Sequence, residues 1–502
     1  MIERVRRIER ICAGVTLLSG LVVVVANWSG VSWSWDSTDY VAAGRSLAKF
    51  KGSLDVSGAP MTVRPPGYPS LIALGEIVGA PTNATLLVIN VASMMVATAC
   101  LFFMLKKCAS MPTAVIGSVF FALTPTMIWQ TSMAWSEPPY LATLMITVVV
   151  VVWFAHPARF VVLGSLYATL FFLRFVGPVF IAPLVVVAML VDARSRSWLK
   201  SVVGNFLTLV VASIPMVFWL LRNQRIDGTL TGARQPGGGT FWETMTHALG
   251  TYGSFLSGQP FDSVIYQRFS DYPIAAQIGG VIISVILLTA TSFAIRDAIR
   301  NRLTPSIQEM VVLANIGIIV AYSVFSAYRF VHLEIGRLDT RMMMPVLPSF
   351  IIISAVTIER LIRPHQRVIR TVAFTCLALT AIHATITVRD AVKFGTEQRH
   401  LSNAVNRDLD IHVFVRSLGP HSALYSNAPQ LLFLSADTWP IYTPWQAGLA
   451  WPTSCDHRYA IYYNDFQVQD NRPTSAPILY EDPIGTVYDV GACSEDINLA
   501  WD

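Results

Sequence analysis

Charge is scarce in this sequence. Asp, Glu, Lys and Arg together make up 13% of its 502 residues, about half the share usual in a soluble globular protein. Two windows, 77–105 and 108–136, run for 29 residues each without any of the four, and a helix needs only about 20 apolar residues to span a bilayer. Hydrocarbon offers no water to an open backbone, so such windows exclude a soluble domain and require helices. Basic residues form no stripe interleaved with aromatics, which excludes nucleic acid as a partner. The six cysteines lack metal-ligand spacing. Cys455 and Cys493 fall in a polar tail, where a disulfide between them would suit an extracytoplasmic location. No small-residue cleavage site follows the first apolar run, so that run reads as an uncleaved anchor. Internal repeats and low-complexity segments are also missing.

What is present is a series of eleven apolar runs, at about 11–28, 85–105, 113–130, 138–155, 160–173, 175–191, 202–221, 274–295, 310–328, 342–358 and 371–388. The fold class expected is an α-helical polytopic membrane protein. Arg4, Arg6, Arg7 and Arg10 precede the first run, which puts the N-terminus in the cytoplasm. With eleven spans, the segments then expected inside are richer in Lys and Arg than those outside, as the positive-inside rule demands. That balance requires Phe160–Val191 to be two short spans broken at Arg174-Phe-Val-Gly-Pro178, with Arg174 at the outer surface. Residues 1–388 form the transmembrane module. Residues 389–502 alternate short apolar runs with Pro, Asn and Asp turns, and read as a small extracytoplasmic α/β domain.

Polar chemistry collects on the outer side. An outer loop, residues 28–84, opens with Trp33-Ser-Trp-Asp-Ser-Thr-Asp-Tyr40, its tryptophans suited to an interfacial belt. Within Asp39–Phe50, Tyr40, Ala43, Leu47 and Phe50 share one helical face, as in a helix lying on the membrane surface. Pro65, Pro66 and Pro69 then predict an extended segment holding Arg64 and Tyr68 above the bundle. Asp36, Asp39, Glu137, Arg174 and the stretch Tyr328–Arg341, with His332, Arg337 and Arg341, reach the same surface. Carboxylates beside guanidiniums suit a reaction in which a base takes a proton from an acceptor hydroxyl while arginines hold a departing phosphate. Plainer readings stand beside this one. Asp36 could cap the surface helix, Arg64 and Arg174 could reach lipid headgroups, the 329–341 cluster could pair with itself in solvent, and His332 could serve only as a hydrogen-bonding residue. A transporter or lipid flippase is the alternative class; it would call for ionisable groups in mid-span, which the windows lack.

The order of these features resembles the GT-C superfamily of membrane glycosyltransferases, and within it the family 39 and aminoarabinose-transferase branch that uses polyprenyl-phosphate sugars. The resemblance rests on Asp36…Tyr40, Ala43…Leu47, Arg64-Pro-Pro-Gly-Tyr-Pro69, Ser136-Glu137-Pro138, Leu173-Arg174 with Gly177, Arg341-Met-Met-Met-Pro-Val-Leu-Pro348 and Tyr425-Ser-Asn-Ala-Pro429. Ser37 stands where that branch has a second acidic residue, and Met342 where it has tyrosine. The resemblance implies a GT-C-like bundle in a bacterial inner membrane and a polyprenyl-phosphate sugar donor. The acceptor would be a hydroxyl on a glycan, lipid or protein, as in assembly of cell envelope glycans. It implies Asp36 and Asp39 as catalytic carboxylates, and Arg64, Tyr68, Glu137, Arg174, His332, Arg337 and Arg341 as substrate- or phosphate-binding residues. Some relatives bind a divalent metal ion near this site, which would make Glu137 a candidate ligand.

Overall fold

The computed structural model describes residues 2–154, 156, 158–193, 198–232, 306–332, 340–362, 366–397, 409–419, 422–436, 441–442, 455–464 and 475–493, with scattered positions between 240 and 296. The apolar runs become helices. In chain order these are α1 (Ile2–Ala26), α4 (Thr82–Cys108), α5 (Met111–Ala122), α6 (Pro125–Thr131), α7 (Glu137–Trp153), α8 (Arg159–Leu173), α9 (Ile181–Ala193), α10 (Trp198–Asp227), α11 (Ile307–His332), α12 (Thr340–Met343), α13 (Leu347–Ile362) and α14 (Gln366–Glu397). Two more, α2 (Trp35–Ala48) and α3 (Gly67–Ile77), lie in the loop between α1 and α4. Among the described residues, five helical segments (5–26, 82–108, 199–227, 307–329 and 341–360) are long and apolar enough to cross a membrane. The α5–α6 pair, bent by 50°, makes a sixth if counted as one span. The remaining expected runs coincide with α14 or with shorter apolar helices, among them Gly280–Phe293 for the run 274–295, half of whose residues lie outside those described.

The breaks have local causes. Pro125, at the first position of α6, has no N–H to continue the α5 ladder, so the chain bends there. Between α8 and α9, Arg174 leaves helical geometry at φ −152° and ψ 134°, and the chain re-enters through a short 3-10 turn at Gly177–Phe180. A β-carbon on Gly177 would lie 2.4 Å from the Leu170 carbonyl carbon, so this tight reversal needs glycine. The two short helices expected on either side of Arg174 are therefore both present.

Three readings of the outer loop are corrected. The proline stretch is not extended throughout: Pro66 is helical in backbone (φ −81°, ψ −2°) and caps α3, whose first turn contains Tyr68 and Pro69. A first helical turn needs no N–H from its residues, so it accepts proline. The surface helix begins at Trp35 and stops at Ala48; Tyr40 and Ala43 are buried rather than turned to lipid, and Phe50 lies beyond the helix, 91% exposed. Trp33 is buried as well, its ring 6.4 Å from that of Phe433.

The C-terminal residues form a five-stranded mixed sheet in the order β2–β1–β3–β5–β4, from β1 (Ala423–Ser426), β2 (Ile441–Tyr442), β3 (His457–Tyr463), β4 (Ile478–Glu481) and β5 (Gly485–Ala492). The first three are parallel to one another, and β5 runs antiparallel to β3 and β4. Cys455 and Cys493 are joined as a disulfide across one end of this sheet. Helices α15 (Asp410–Ser417) and α16 (Pro429–Ala436) accompany it. The sheet domain rests on the α1–α4 loop. Ile441 N–H donates to the Val56 carbonyl at 3.0 Å, and the Arg45 guanidinium sits over the Phe433 ring.

Candidate functional site

The site starts from a backbone pairing. Ser32 and Met133 form a parallel bridge, in which Ser32 N–H donates to Ser132 O (2.8 Å) and Ala134 N–H to Ser32 O (3.0 Å). The buried side chain of Asn27 donates to Thr131 O, and that of Asn90 to Thr131 O and Met133 O, pinning the strand-like segment to α1 and α4. From the bridge both chains run the same way into a helix. Four residues on, each presents a carboxylate in the first helical turn: Asp36 on α2 and Glu137 on α7. A helix N-terminus favours negative charge there. Trp135 Nε1 donates to Ser34 Oγ (2.7 Å), and Ser34 N–H donates to Ser37 Oγ (2.9 Å), so Ser37 helps to cap α2.

Arginines from three other places close on these carboxylates. Arg64 reaches both Asp39 and Asp36, the latter at 2.6 Å. Arg341, on α12, donates to Asp36 Oδ2 at 2.6 Å and to Glu137 Oε1 at 2.8 Å, with its guanidinium carbon 3.7 Å from the centre of the Trp135 ring. Arg174 meets the same Glu137 oxygen at 2.5 Å. The result is a single alternating chain, Asp39–Arg64–Asp36–Arg341–Glu137–Arg174, with three charges of each sign. It gathers residues from 36 to 341 at one rim of the bundle. Exposure peaks at Asp36, at 32% of the side chain, and is lowest at Glu137, at 1%.

Each arginine is held by what surrounds it. The residues before Arg64 are tied to the end of α10, where Arg222 donates to Met61 O (2.8 Å) and Asn223 to Thr62 O (3.1 Å). Just after it, Gly67 lies flat against the C-terminus of α8. A β-carbon on Gly67 would stand 2.5 Å from the Phe172 carbonyl oxygen, a backbone atom that cannot swing aside. Gly67→Ala is therefore expected to cost about 1–3 kcal/mol, the usual range for overpacking, read as a lowered thermal midpoint of the purified protein. An unchanged midpoint would show that the α8 terminus yields.

Burial presses the Asp36 carboxyl upward, yet the Arg341 and Arg64 charges override it and hold the group well below the usual carboxylate range. Asp39 moves the other way: burial, with the Asp55 and Asp36 charges, outweighs Arg64 and pushes its carboxyl up. Burial also drives the Tyr68 phenol well above its ordinary value. Its ring stands edge-on to that of Tyr40, 5.1 Å away. Tyr68 Oη and Glu137 Oε2 are buried and have no partner among the described residues.

Of the residues expected here, Asp36, Asp39, Arg64, Glu137, Arg174 and Arg341 come together, and Tyr68 packs beside them against Tyr40. His332 does not join them; it is exposed at the end of α11, with its ring against Tyr328. Arg337 lies outside the described residues. The Trp135 platform under Arg341 is an addition to the residues expected from the sequence. Its signal was adjacency to Glu137, since a large aromatic beside a buried acid can shelter the counter-charge. A divalent ion does not fit this arrangement. Among the described residues no three of His, Cys, Asp or Glu are placed to hold a metal ion together, and both Asp36 oxygens are taken by guanidiniums.

Among solved structures, the chain aligns over 94% of its length with the apo crystal structure of ArnT from Cupriavidus metallidurans, covering 96% of that protein at 12% identity with a TM-score of 0.62. Against the same protein bound to undecaprenyl phosphate the figures are 96% and 97% at 12% identity, with a TM-score of 0.63. The chain has the fold of ArnT. The coincidence extends over nearly the whole length of both proteins, so helical bundle and sheet domain belong to one shared fold. The Archaeoglobus fulgidus oligosaccharyltransferase, in complex with zinc and sulfate, aligns over 89% of this chain and 68% of its own at 14% identity. Its TM-score of 0.48 is too low to add to that comparison. No family model and no curated protein matches the sequence.

Proposed function

We propose that this protein is an inverting glycosyltransferase that moves a sugar from a polyprenyl-phosphate donor to an acceptor hydroxyl at the extracytoplasmic face of a bacterial inner membrane. The observation that carries the reading is the alternating chain of three carboxylates and three arginines, assembled at one rim of a GT-C bundle from widely separated residues. The structural relative crystallised with undecaprenyl phosphate supports the donor class.

In this reading the acceptor oxygen attacks the anomeric carbon from the face opposite the phosphate. The carbon–oxygen bond to phosphate breaks, its electron pair stays on the leaving oxygen, and Asp36 takes the acceptor's proton. Arg64 and Arg341, backed by Arg174, neutralise the charge that develops on the phosphate. Glu137 keeps Arg341 and Arg174 in place and orients the bound sugar or acceptor. Fixing these groups on two helix N-termini and a proline-braced turn satisfies the demand that a base be placed closely.

The test is transfer itself. Purified protein, membrane extract and a panel of radiolabelled polyprenyl-phosphate sugars are expected to yield labelled product with at least one donor and none with the matching sugar nucleotides. Label moving only from nucleotide sugars, or no transfer across the panel, would refute the donor class.

A further inference from the structure

The donor reading leaves a conflict on the molecule. The two guanidiniums best placed for a phosphate are already occupied: Asp36 offers one oxygen to Arg64 and the other to Arg341, each at 2.6 Å. We propose that Asp36 is an internal competitor for the donor's phosphate, occupying Arg64 and Arg341 at rest and released for proton transfer only when the phosphate takes its place. The inference rests on the donor reading above and adds the order of events within it.

Three features favour exchange. First, carboxylate and phosphate both present paired oxygens that guanidiniums bind with directed hydrogen bonds, so one can replace the other between the same two arginines. Second, neither arginine drifts when Asp36 lets go. Arg64 keeps Asp39, and Arg341 keeps Glu137 and the Trp135 ring. Asp36 also has the most exposed side chain of the six, so exchange takes place at the accessible part of the chain. Third, Asp36 fills the donors that Arg64 and Arg341 turn toward it, so a phosphate can take those donors only where the carboxylate gives them up. The exchange also resolves a chemical difficulty. A carboxylate held far down by two guanidiniums is a poor proton acceptor, and losing them restores its basicity.

The experiment measures binding of undecaprenyl phosphate to the full-length protein in nanodiscs, with neutral undecaprenol as the control lipid. Asp36→Asn is expected to bind undecaprenyl phosphate about tenfold more tightly than wild type, the scale of one charge-assisted hydrogen bond no longer competed for. Asp39→Asn, which frees only one partner of Arg64, should gain less, and undecaprenol binding should not change. Equal or weaker binding by Asp36→Asn would overturn the proposal. So would equal tightening in both variants, which would mean a general field effect rather than competition. Wild type that binds neither lipid would instead refute the donor reading. Should Asp36→Asn fail to fold, an electron cryomicroscopy structure of wild type with undecaprenyl phosphate decides. Asp36 parted from both arginines supports exchange, and bridges still intact beside a bound phosphate reject it.

Discussion

Asp36→Asn is expected to lower sugar transfer by a factor of about 10²–10⁴, the range for loss of a positioned general base, while the protein remains folded. The amide keeps the shape of the carboxylate but has one acceptor oxygen where two guanidiniums now donate to Asp36. The loss should fall on kcat. If Asp36 also competes with the donor phosphate, KM for the donor falls at the same time, a combination that mere disruption of the site would not produce. Initial rates across donor concentration for both proteins give the answer, and full-rate transfer by the variant would remove Asp36 as the proton acceptor.

The second large effect concerns Arg341, the only residue of the six that joins the carboxylates of α2 and α7. Its loss in Arg341→Ala should reduce transfer by about 10²–10³, comparable to removing one preorganised charge-stabilising group. It should also cost about 3 kcal/mol of stability, the lower end for breaking a buried ion pair, because Glu137 at 1% exposure keeps Arg174 as its one remaining partner. Arg341→Lys restores the charge but neither the paired donors nor the flat contact with Trp135, and should fall between the two. Thermal unfolding and initial rates on the three proteins test this together. A variant with unaltered midpoint and less than a tenfold rate loss would show Arg341 to be a bystander.

Much of this architecture was legible because hydrocarbon is an unforgiving solvent. A stretch such as 77–105 has few options besides a helix, and the placement of basic residues was enough to divide Phe160–Val191 at Arg174. The charged residues of the site were legible one by one, since a carboxylate or guanidinium at the edge of an apolar run needs a reason to be there. Their pairing was not legible. It depends on the Ser32–Met133 bridge, made entirely of backbone groups, which any side chains at those positions could have formed. The prolines misled for a related reason: stiffness alone does not distinguish an extended brace from the first turn of a helix. The apolar residues that follow at Leu71, Ile72 and Ala73 pointed to the latter. Trp33 has the residue type of a membrane interface, whereas its ring partner, Phe433, lies four hundred residues further on.

That bridge also acts as a ruler. Because Ser32 and Met133 run in parallel, the four-residue lead from each sets where its acid emerges. One residue added to either lead would rotate that acid by about 100° around its helix and carry it off Arg341. The number of residues in these two leads is therefore a constraint separate from their side chains, and any redesign of the rim has to keep the count as well as the Ser34–Trp135 contact.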